Sequence, residues 1–405
     1  MFPLPGLKVL TNQTERKGQS QLAKARNIQF VPLTRHLVQA SEEFNERLRQ
    51  GGVADEYFSS RPNHDRGEAP PAPMEAERYV GVDADGRVRG AYILRWQFLW
   101  LRGERFLGAC YGHPVSEGII DKQYAMMGVS VLRDALKRCG YLHMLGASGR
   151  NGSVFRVAQH AGWQIEDVPF LFRVINGGRF LRRLPHMQRS EGRRLLATVG
   201  GATGLAQIAS GLLHGGSAVW NRGSPPLRPS SNVIVEEVDS LAGAADEVWG
   251  RANSQYAFCV VRDGAHVDPS FPLDRTDLHR LVVRHHGSIV GWSVVMTEGL
   301  SRVRNYLGDV VAGLIVDAFG DTAYASEVVR CATAYLADCG VDVVITNTSH
   351  DRWIAGYKRA GFLTWRSQYP LLVSKSLAHR IGDFPAIMPQ THMSRGDGDG
   401  VHYLR

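Results

Sequence analysis

Acidic side chains stand where predicted strands give way to predicted helices, and they are the residues best placed to move protons. Asp317 follows the predicted strand 310–316 and precedes the predicted helix 322–338. Glu117 lies in the loop 113–121, ahead of the equivalent helix in the first half of the chain. A carboxylate in such a place can take a proton from a nucleophile. The structural alternatives stay open: an acid that favours a helix N-terminus for Asp317, and a solvated loop residue for Glu117.

The cysteines, the paired histidines and the Asp-Gly string lack the spacing of a disulfide framework or a metal site. The five cysteines lack C-x-x-C spacing, which indicates mostly buried thiols in a reducing compartment. The two histidines at 285–286 fall at a predicted hairpin tip, which favours exposed turn residues over metal ligands. The Asp-Gly string at 395–400 lacks the later ligands of a calcium loop, which favours a solvated, flexible tail. We therefore predict no metal site.

The elements that must position these side chains occur twice. Residues 131–163 and 328–362 share one order: a helical run, Cys-Gly, an apolar strand, a polar loop, a second helix and Gly-aromatic. The spacing between the two glycines of each copy agrees to within one residue. Such a register indicates an internal repeat.

Around the repeat, each half shows a β-α-β-β-β-α-β-α-β order, which predicts an α/β fold with mixed sheets in two tandem units. A helical, Pro-rich linker joins the units. The predicted organisation is a flexible N-terminus at 1–24, units at 25–177 and 233–378, a basic linker with an apolar helix at 178–232, and a tail at 379–405.

Net charge and the distribution of charged residues indicate which macromolecular partners the chain could bind. The 405 residues carry a net charge of +8, yet no long basic arm, so nucleic-acid binding is not predicted. The N-terminus has no signal-peptide pattern, which predicts a cytoplasmic protein. Residues 195–213 carry no charge and follow helical spacing. They predict a helix packed on a domain or, with the preceding basic residues, contact of 189–213 with the inner face of a membrane.

The late motif carries a family resemblance. Residues 151–163 read NGSVFRVAQHAGW and residues 351–362 read DRWIAGYKRAGF. Both resemble the end of the GNAT acyltransferase unit, where a helix leads to Gly-Phe or Gly-Trp. Because the resemblance covers most of both halves, the chain is similar to a tandem GNAT protein. Tandem units also occur in the Fem-type aminoacyl transferases.

The resemblance implies acetyl-CoA or another acyl-CoA as co-substrate, with its pyrophosphate on the amides that open the first repeated helix. In the second unit those positions are Ala318, Phe319, Gly320, Asp321 and Thr322. Tyr357 stands where the family places the tyrosine that protonates the leaving thiolate. Asp317 then becomes the candidate base, and Glu117 its candidate counterpart in the first unit.

The resemblance also implies a substrate class. The segments 256–263 and 116–118 are similar to bacterial GNAT-like proteins of surface-polysaccharide assembly. They predict transfer of an acyl group to an amino-sugar or similar small-molecule or glycan precursor, by direct attack on the thioester. One alternative is a non-catalytic scaffold of a polysaccharide assembly complex, favoured by the missing glycine pair in both predicted phosphate loops. The other is a Fem-type aminoacyl transferase.

Overall fold

The computed structural model describes residues 28–53, 58–65, 72, 74–146, 150, 152–177, 230–297, 310–365 and 369–398. The N-terminus 1–24 and the apolar run 195–213 lie outside these residues, so the predictions made for them have no structural counterpart here. None of the described helices is both long and apolar enough to span a membrane.

The described chain alternates helices and strands, as the α/β pattern requires. The helices are α1 Val38–Gln50, α2 Met127–Arg138, α3 Ser153–His160, α4 Ala242–Ala252, α5 Gly264–Ser270, α6 Ala325–Asp338, α7 Asp351–Arg359, α8 Lys375–Ile381 and α9 Phe384–Ile387. The strands are β1 Gln29–Pro32, β2 Ala76–Val82, β3 Val88–Leu101, β4 Glu104–Ser116, β5 Leu142–Leu145, β6 Gln164–Asp167, β7 Phe170–Val174, β8 Val233–Val238, β9 Phe258–Val260, β10 Leu278–His285, β11 Ser288–Met296, β12 Ala312–Gly320, β13 Val343–Asn347, β14 Leu363–Trp365, β15 Pro370–Val373 and β16 Thr391–His392.

The chain divides into two compact units. The first comprises the described residues within Met1–Pro70, Ala76–Arg95 and Tyr111–Cys139; the second comprises the described residues within Pro71–Glu75, Trp96–Cys110 and Gly140–Arg405. In the first unit, β2 pairs antiparallel with β1 and with the start of β3. Its apolar core joins these strands to α1 through residues such as Phe44, Leu48 and Val80.

The second unit contains a mixed sheet in the order β14-β7-β13-β12-β11-β10-β8. Its strands β12 and β13 are parallel, and the other described neighbours in it run antiparallel. Strands such as β12 are buried along their whole length, which explains their continuous apolar sequence. The predicted α/β class with mixed sheets is confirmed.

Two strands are exchanged between the halves of the sequence. Strand β7 comes from the first half but lies between β13 and β14 of the second. Reciprocally, β15 lies between β5 and β6. The expectation that each half of the sequence supplies every strand of its own β-α-β-β-β-α-β-α-β order, down to the last strand, is therefore wrong. Because the two halves repeat one pattern, each offers an equivalent gap, and an apolar strand carries no local signal for which gap it enters.

The prediction of a solvated, flexible tail is also wrong for its described part. Helices α8 and α9 follow β15, and β16 then pairs in parallel with β9. The turn Arg395–Asp397 is buried, with a capping box in which Ser394 and Asp397 bond to each other's backbone amides. The Gly-Asp composition suggested solvent exposure, but it serves a buried turn whose charges are paired within the fold.

Candidate active site

The candidate site begins where β12 and β13 part. Among the described residues, the two strands pair only from Ala312 to Leu314, opposite Val343 to Ile345. Just beyond, Val316 is an extra residue in β12, since Ile315 and Asp317 face consecutive residues of β11. Such a β-bulge bends its strand and re-aims the next side chain. We call the resulting gap the wedge. It is bordered by residues 315–320 of β12 and by residues 346–349, which comprise the end of β13 and the start of the loop after it.

Asp317 follows the bulge and is held by a buried ion-pair network. Its carboxylate accepts a hydrogen bond from Arg262 Nε at 3.0 Å, and Arg262 Nη2 donates to Asp397 Oδ2 at 2.6 Å. All three residues are buried. Burial alone would raise the pKa of Asp317, but the Arg262 guanidinium holds it below its usual value. For Asp397 burial outweighs the same guanidinium, and its pKa is raised.

His392 lies beside this network in an aromatic box. Its ring centre is 5.4 Å from that of Tyr256 and 5.7 Å from those of Phe319 and Trp353. Neither ring nitrogen has a hydrogen-bond partner among the described residues, and Asp317 Oδ1 is 3.7 Å from Nε2. Burial and then the Arg262 charge lower the pKa of His392 to about 4. The imidazole is therefore uncharged at neutral pH.

Tyr357 reaches the apex of the wedge from α7. The Thr346 hydroxyl, which lies close to Tyr357, donates to the Ile315 carbonyl at 2.8 Å. Burial raises the pKa of Tyr357 well above its usual value, and the Asp317 charge adds to the rise. The phenol is thus protonated and available as a proton donor. The structure brings Tyr357 and Asp317, the two candidates predicted for the second half, to the same wedge.

The predicted phosphate-binding segment has a different character. Ala318, Phe319 and Gly320 belong to β12 and are buried. Asp321 caps the turn Thr322–Tyr324, accepting a hydrogen bond from the amide of Ala323 at 2.9 Å.

The next amide donor, that of Thr322, is already bound by the side chain of Gln255. Gln255 Oε1 accepts from the Thr322 amide at 2.9 Å and from its hydroxyl at 2.7 Å. A pyrophosphate would need these amides, and it would meet the Asp321 carboxylate beside them. In this arrangement the predicted segment does not fit a pyrophosphate.

Glu117 lies in the first unit and is fully engaged. Arg47 Nε and Arg89 Nη1 each donate to its carboxylate at 2.8 Å, and Arg89 Nε also donates to Asp83 at 2.7 Å. Glu117 is buried, so it is not a solvated loop residue. These contacts give it a structural part in holding α1 and β3, and its proposed catalytic part stays a prediction.

Sequence reasoning missed Arg262, His392 and Asp397. Arg262 directly follows the apolar run 258–261, where a charge is unexpected unless it is paired. That position was an available signal for a buried ion pair. His392 and Asp397 gave none, because they lie in a segment whose composition is typical of solvated turns.

No protein-family model matches this chain, and no curated protein matches its sequence. Solved structures do resemble it. A GCN5-related N-acetyltransferase from Anabaena variabilis ATCC 29413 aligns with a TM-score of 0.50 and 10% identity, over 85% of this chain and 72% of that one. An Enterococcus faecalis V583 protein of unknown function, described as a probable N-acyltransferase, gives 0.49 and 9%, over 87% and 73%.

Saccharomyces cerevisiae N-myristoyltransferase, solved with bound myristoyl-CoA, aligns with a TM-score of 0.44 and 12% identity, over 73% of this chain and 66% of that one. At such identities a likeness shows a shared fold alone.

Proposed function

We propose that this chain, which shares the GNAT fold, is an acyltransferase that moves an acyl group from a thioester to an amine. The observation that carries the proposal is the wedge, where an ionised carboxylate and a protonated phenol border the gap between two parallel strands. Asp317 and Tyr357 are the proton acceptor and proton donor that such a transfer needs. The names of the structural neighbours are consistent with this class of reaction.

In the proposed reaction the amine lies against Asp317. The carboxylate attracts the ammonium form and takes one of its protons, and the free amine nitrogen then attacks the thioester carbon. The C–N bond forms, the C–S bond breaks, and the thiolate takes the proton of the Tyr357 hydroxyl. The second proton that the nitrogen loses restores the phenol. Arg262 keeps Asp317 ionised before the proton transfer, because its guanidinium is buried against the carboxylate.

For the substrates we propose an acyl-CoA, such as acetyl-CoA, as donor and an amino-sugar precursor of a surface polysaccharide as acceptor. An ionised carboxylate in a buried site suits an amine. The polysaccharide context is supported by the sequence resemblance of 256–263. A place at the inner face of the membrane, through 189–213, belongs to the same proposal.

A non-catalytic binding protein is the second candidate. It is favoured by the capped turn at Thr322–Tyr324, where Asp321 and Gln255 take the amides that a CoA pyrophosphate would need. A scaffold would retain the fold and the buried network while binding no thioester.

Thiol release from octanoyl-CoA in the presence of glucosamine separates the two. An acyltransferase releases CoA thiol, and Asp317→Asn and Tyr357→Phe each lower the rate roughly 100-fold or more while the octanoyl-CoA Kd changes little. Asp383→Asn, an exposed carboxylate at the start of α9, is the matched control and keeps the wild-type rate. No thiol release with any acyl-CoA and amino sugar, and no binding by calorimetry, would favour the scaffold.

A further inference from the structure

The wedge exposes backbone groups that must find partners. Two strands that separate leave amides and carbonyls unpaired along their facing edges. Here the segment Thr391–Asp397, which we call the closing segment, provides the partners. The Ser349 amide donates to the Met393 carbonyl at 3.1 Å, and the Met393 amide donates to Ser349 Oγ at 2.9 Å. Thr348 and Ser394 form an antiparallel bridge.

The closing segment also supplies a charge to the site. Asp397 shares Arg262 with Asp317, and Arg395 Nε donates to Asn347 Oδ1 at 2.8 Å. The fit is close at Gly396, where an added Cβ would lie 3.0 Å from the Phe271 ring and 3.4 Å from Asp317 Cβ. A short strand and the turn that follows it, which carries an anionic group, are thus seated in the wedge by shape, backbone pairing and charge.

We propose that the closing segment is an internal ligand of the wedge, and that its displacement opens the site to substrate. This inference rests on the proposed function, since it concerns entry to the same site. His392 then stands where the acceptor amine would lie, beside Asp317. Asp397 takes the face of Arg262 that an anionic group of a substrate would use.

The space left beside the closing segment is too small for a substrate. A partly enclosed cavity of about 10 Å³, room for about one water molecule, is lined by Arg262, Asp317, Gly396 and Asp397, among others. Ligand pockets are usually ~300–1,000 Å³. An acyl chain with its pantetheine arm therefore requires the segment to move.

The closed state carries uncompensated polar groups, which favours release. Both ring nitrogens of His392 and the Thr348 hydroxyl lack hydrogen-bond partners among the described residues. Buried polar atoms without partners destabilise the state that buries them. The Arg262–Asp397 pair is weak evidence for tight closure, since burying two charges costs about as much as their attraction returns.

Hydrogen exchange on the intact chain tests release without any substrate. We expect amides 391–397 to exchange at least tenfold faster than amides 343–345 of β13, through local opening. Asp397→Asn, which weakens the contact with Arg262, should speed exchange of 391–397 about tenfold and leave 343–345 unchanged. Asp383→Asn is the control of equal charge change. If amides 391–397 exchanged at the same rate as amides 343–345, both in the wild type and in Asp397→Asn, the proposal would be overturned.

A reversible disulfide tests whether the closing segment must move before a substrate can enter the wedge. Thr348 and Ser394 are bridge partners, and antiparallel partners lie within reach of a disulfide. In a Cys339→Ser background, which removes the exposed thiol, Thr348→Cys with Ser394→Cys gives a closing segment fixed by oxidation and freed by dithiothreitol. Peptide mass mapping verifies the intended pairing.

The reduced form should bind octanoyl-CoA at least tenfold more tightly than the oxidised form. Equal binding by both forms would overturn the proposal. If neither form binds while 391–397 still exchanges locally, the closing segment opens as inferred and the acyl-transfer function is what fails.

Discussion

At the scale of single residues, Arg262 compensates the buried carboxylates of the candidate site. Its guanidinium bridges Asp317 and Asp397 in a buried environment, and the pKa of Arg262 is raised because the attraction of the two carboxylates exceeds the cost of burial. Removing it leaves two buried carboxylates facing each other. The site therefore depends on a side chain that itself need not touch the reacting atoms.

We expect Arg262→Met to lower the free energy of unfolding by roughly 3–5 kcal/mol, because it leaves buried charges without compensation. Arg284→Met is the control, since Arg284 pairs with Glu236 near the surface at 3.1 Å and should cost about 1 kcal/mol or less. Urea unfolding at neutral pH measures both. Equal small losses would show that the buried network contributes little.

Two buried histidines make stability depend on pH. Burial lowers the pKa of both His392 and His350 to about 4. Between about pH 6.5 and 4 the unfolded chain binds protons that the folded chain does not. The free energy of unfolding should therefore fall on acidification through this window, by about 1.4 kcal/mol per pH unit for each histidine, and level off with respect to them below pH 4.

His392→Gln should make that decline shallower, whereas His160→Gln, at an exposed position, should not. Urea unfolding at a series of pH values from 7 to 4 gives the slopes. An unchanged slope in His392→Gln would contradict the buried, uncharged state of this ring. The residues facing it, Asp317, Arg262 and His350, remain in place in the variant.

At the scale of elements, α6 and α7 approach one another through a glycine. A Cβ added at Gly356 would lie 2.9 Å from Ala325 Cβ and 3.0 Å from the backbone of Ser326. The contact is with backbone and with a methyl group that cannot rotate away. This close approach sets the position of α7, and with it that of Tyr357 one residue later.

Gly356→Ala should therefore destabilise the protein by about 1–3 kcal/mol despite the better helix propensity of alanine. Gly250→Ala in α4 is the matched change, because an added Cβ there meets no described atom within 4 Å. It should stabilise by about 0.5–1 kcal/mol. Thermal unfolding distinguishes them, and a stabilised Gly356→Ala would refute the close approach of the two helices.

At the scale of the whole molecule, the sequence repeat predicted the elements better than their partners. The Gly-bounded pattern of 131–163 and 328–362 anticipated α2, β5, α6, β13 and α7 with small differences in their ends. Periodicity and turn residues are local, and these elements are set locally. Tyr357 lies within this pattern, whereas Asp317 lies before it and was singled out by its position between a predicted strand and a predicted helix.

Exchange of β7 and β15 was beyond the same reasoning, because either apolar strand satisfies either gap. The closing segment was missed for a related reason. Its Gly, Asp and Ser residues are typical of solvated turns, and they are buried only because Arg262 and Asn347, more than 40 positions earlier in the chain, pair with them. Long-range pairing of charges leaves no periodic trace.

Strand exchange predicts that the halves depend on one another. Residues 1–200 and 201–405, produced apart, would each expose a sheet with a missing strand, and each should aggregate. Produced together, they should copurify as a folded pair, because the break at 200 lies outside the described elements. Affinity purification through a tag on one fragment measures this. Two fragments that are soluble, folded and independent would contradict the exchange.

The most direct test of the account maps octanoyl-CoA on the intact chain by hydrogen exchange. If the wedge is the site of acyl transfer and the closing segment its internal ligand, amides 315–320 and 346–349 become protected while amides 391–397 exchange faster. Protection confined to other residues, with 391–397 unchanged, would place any thioester elsewhere and contradict both the site and its closure.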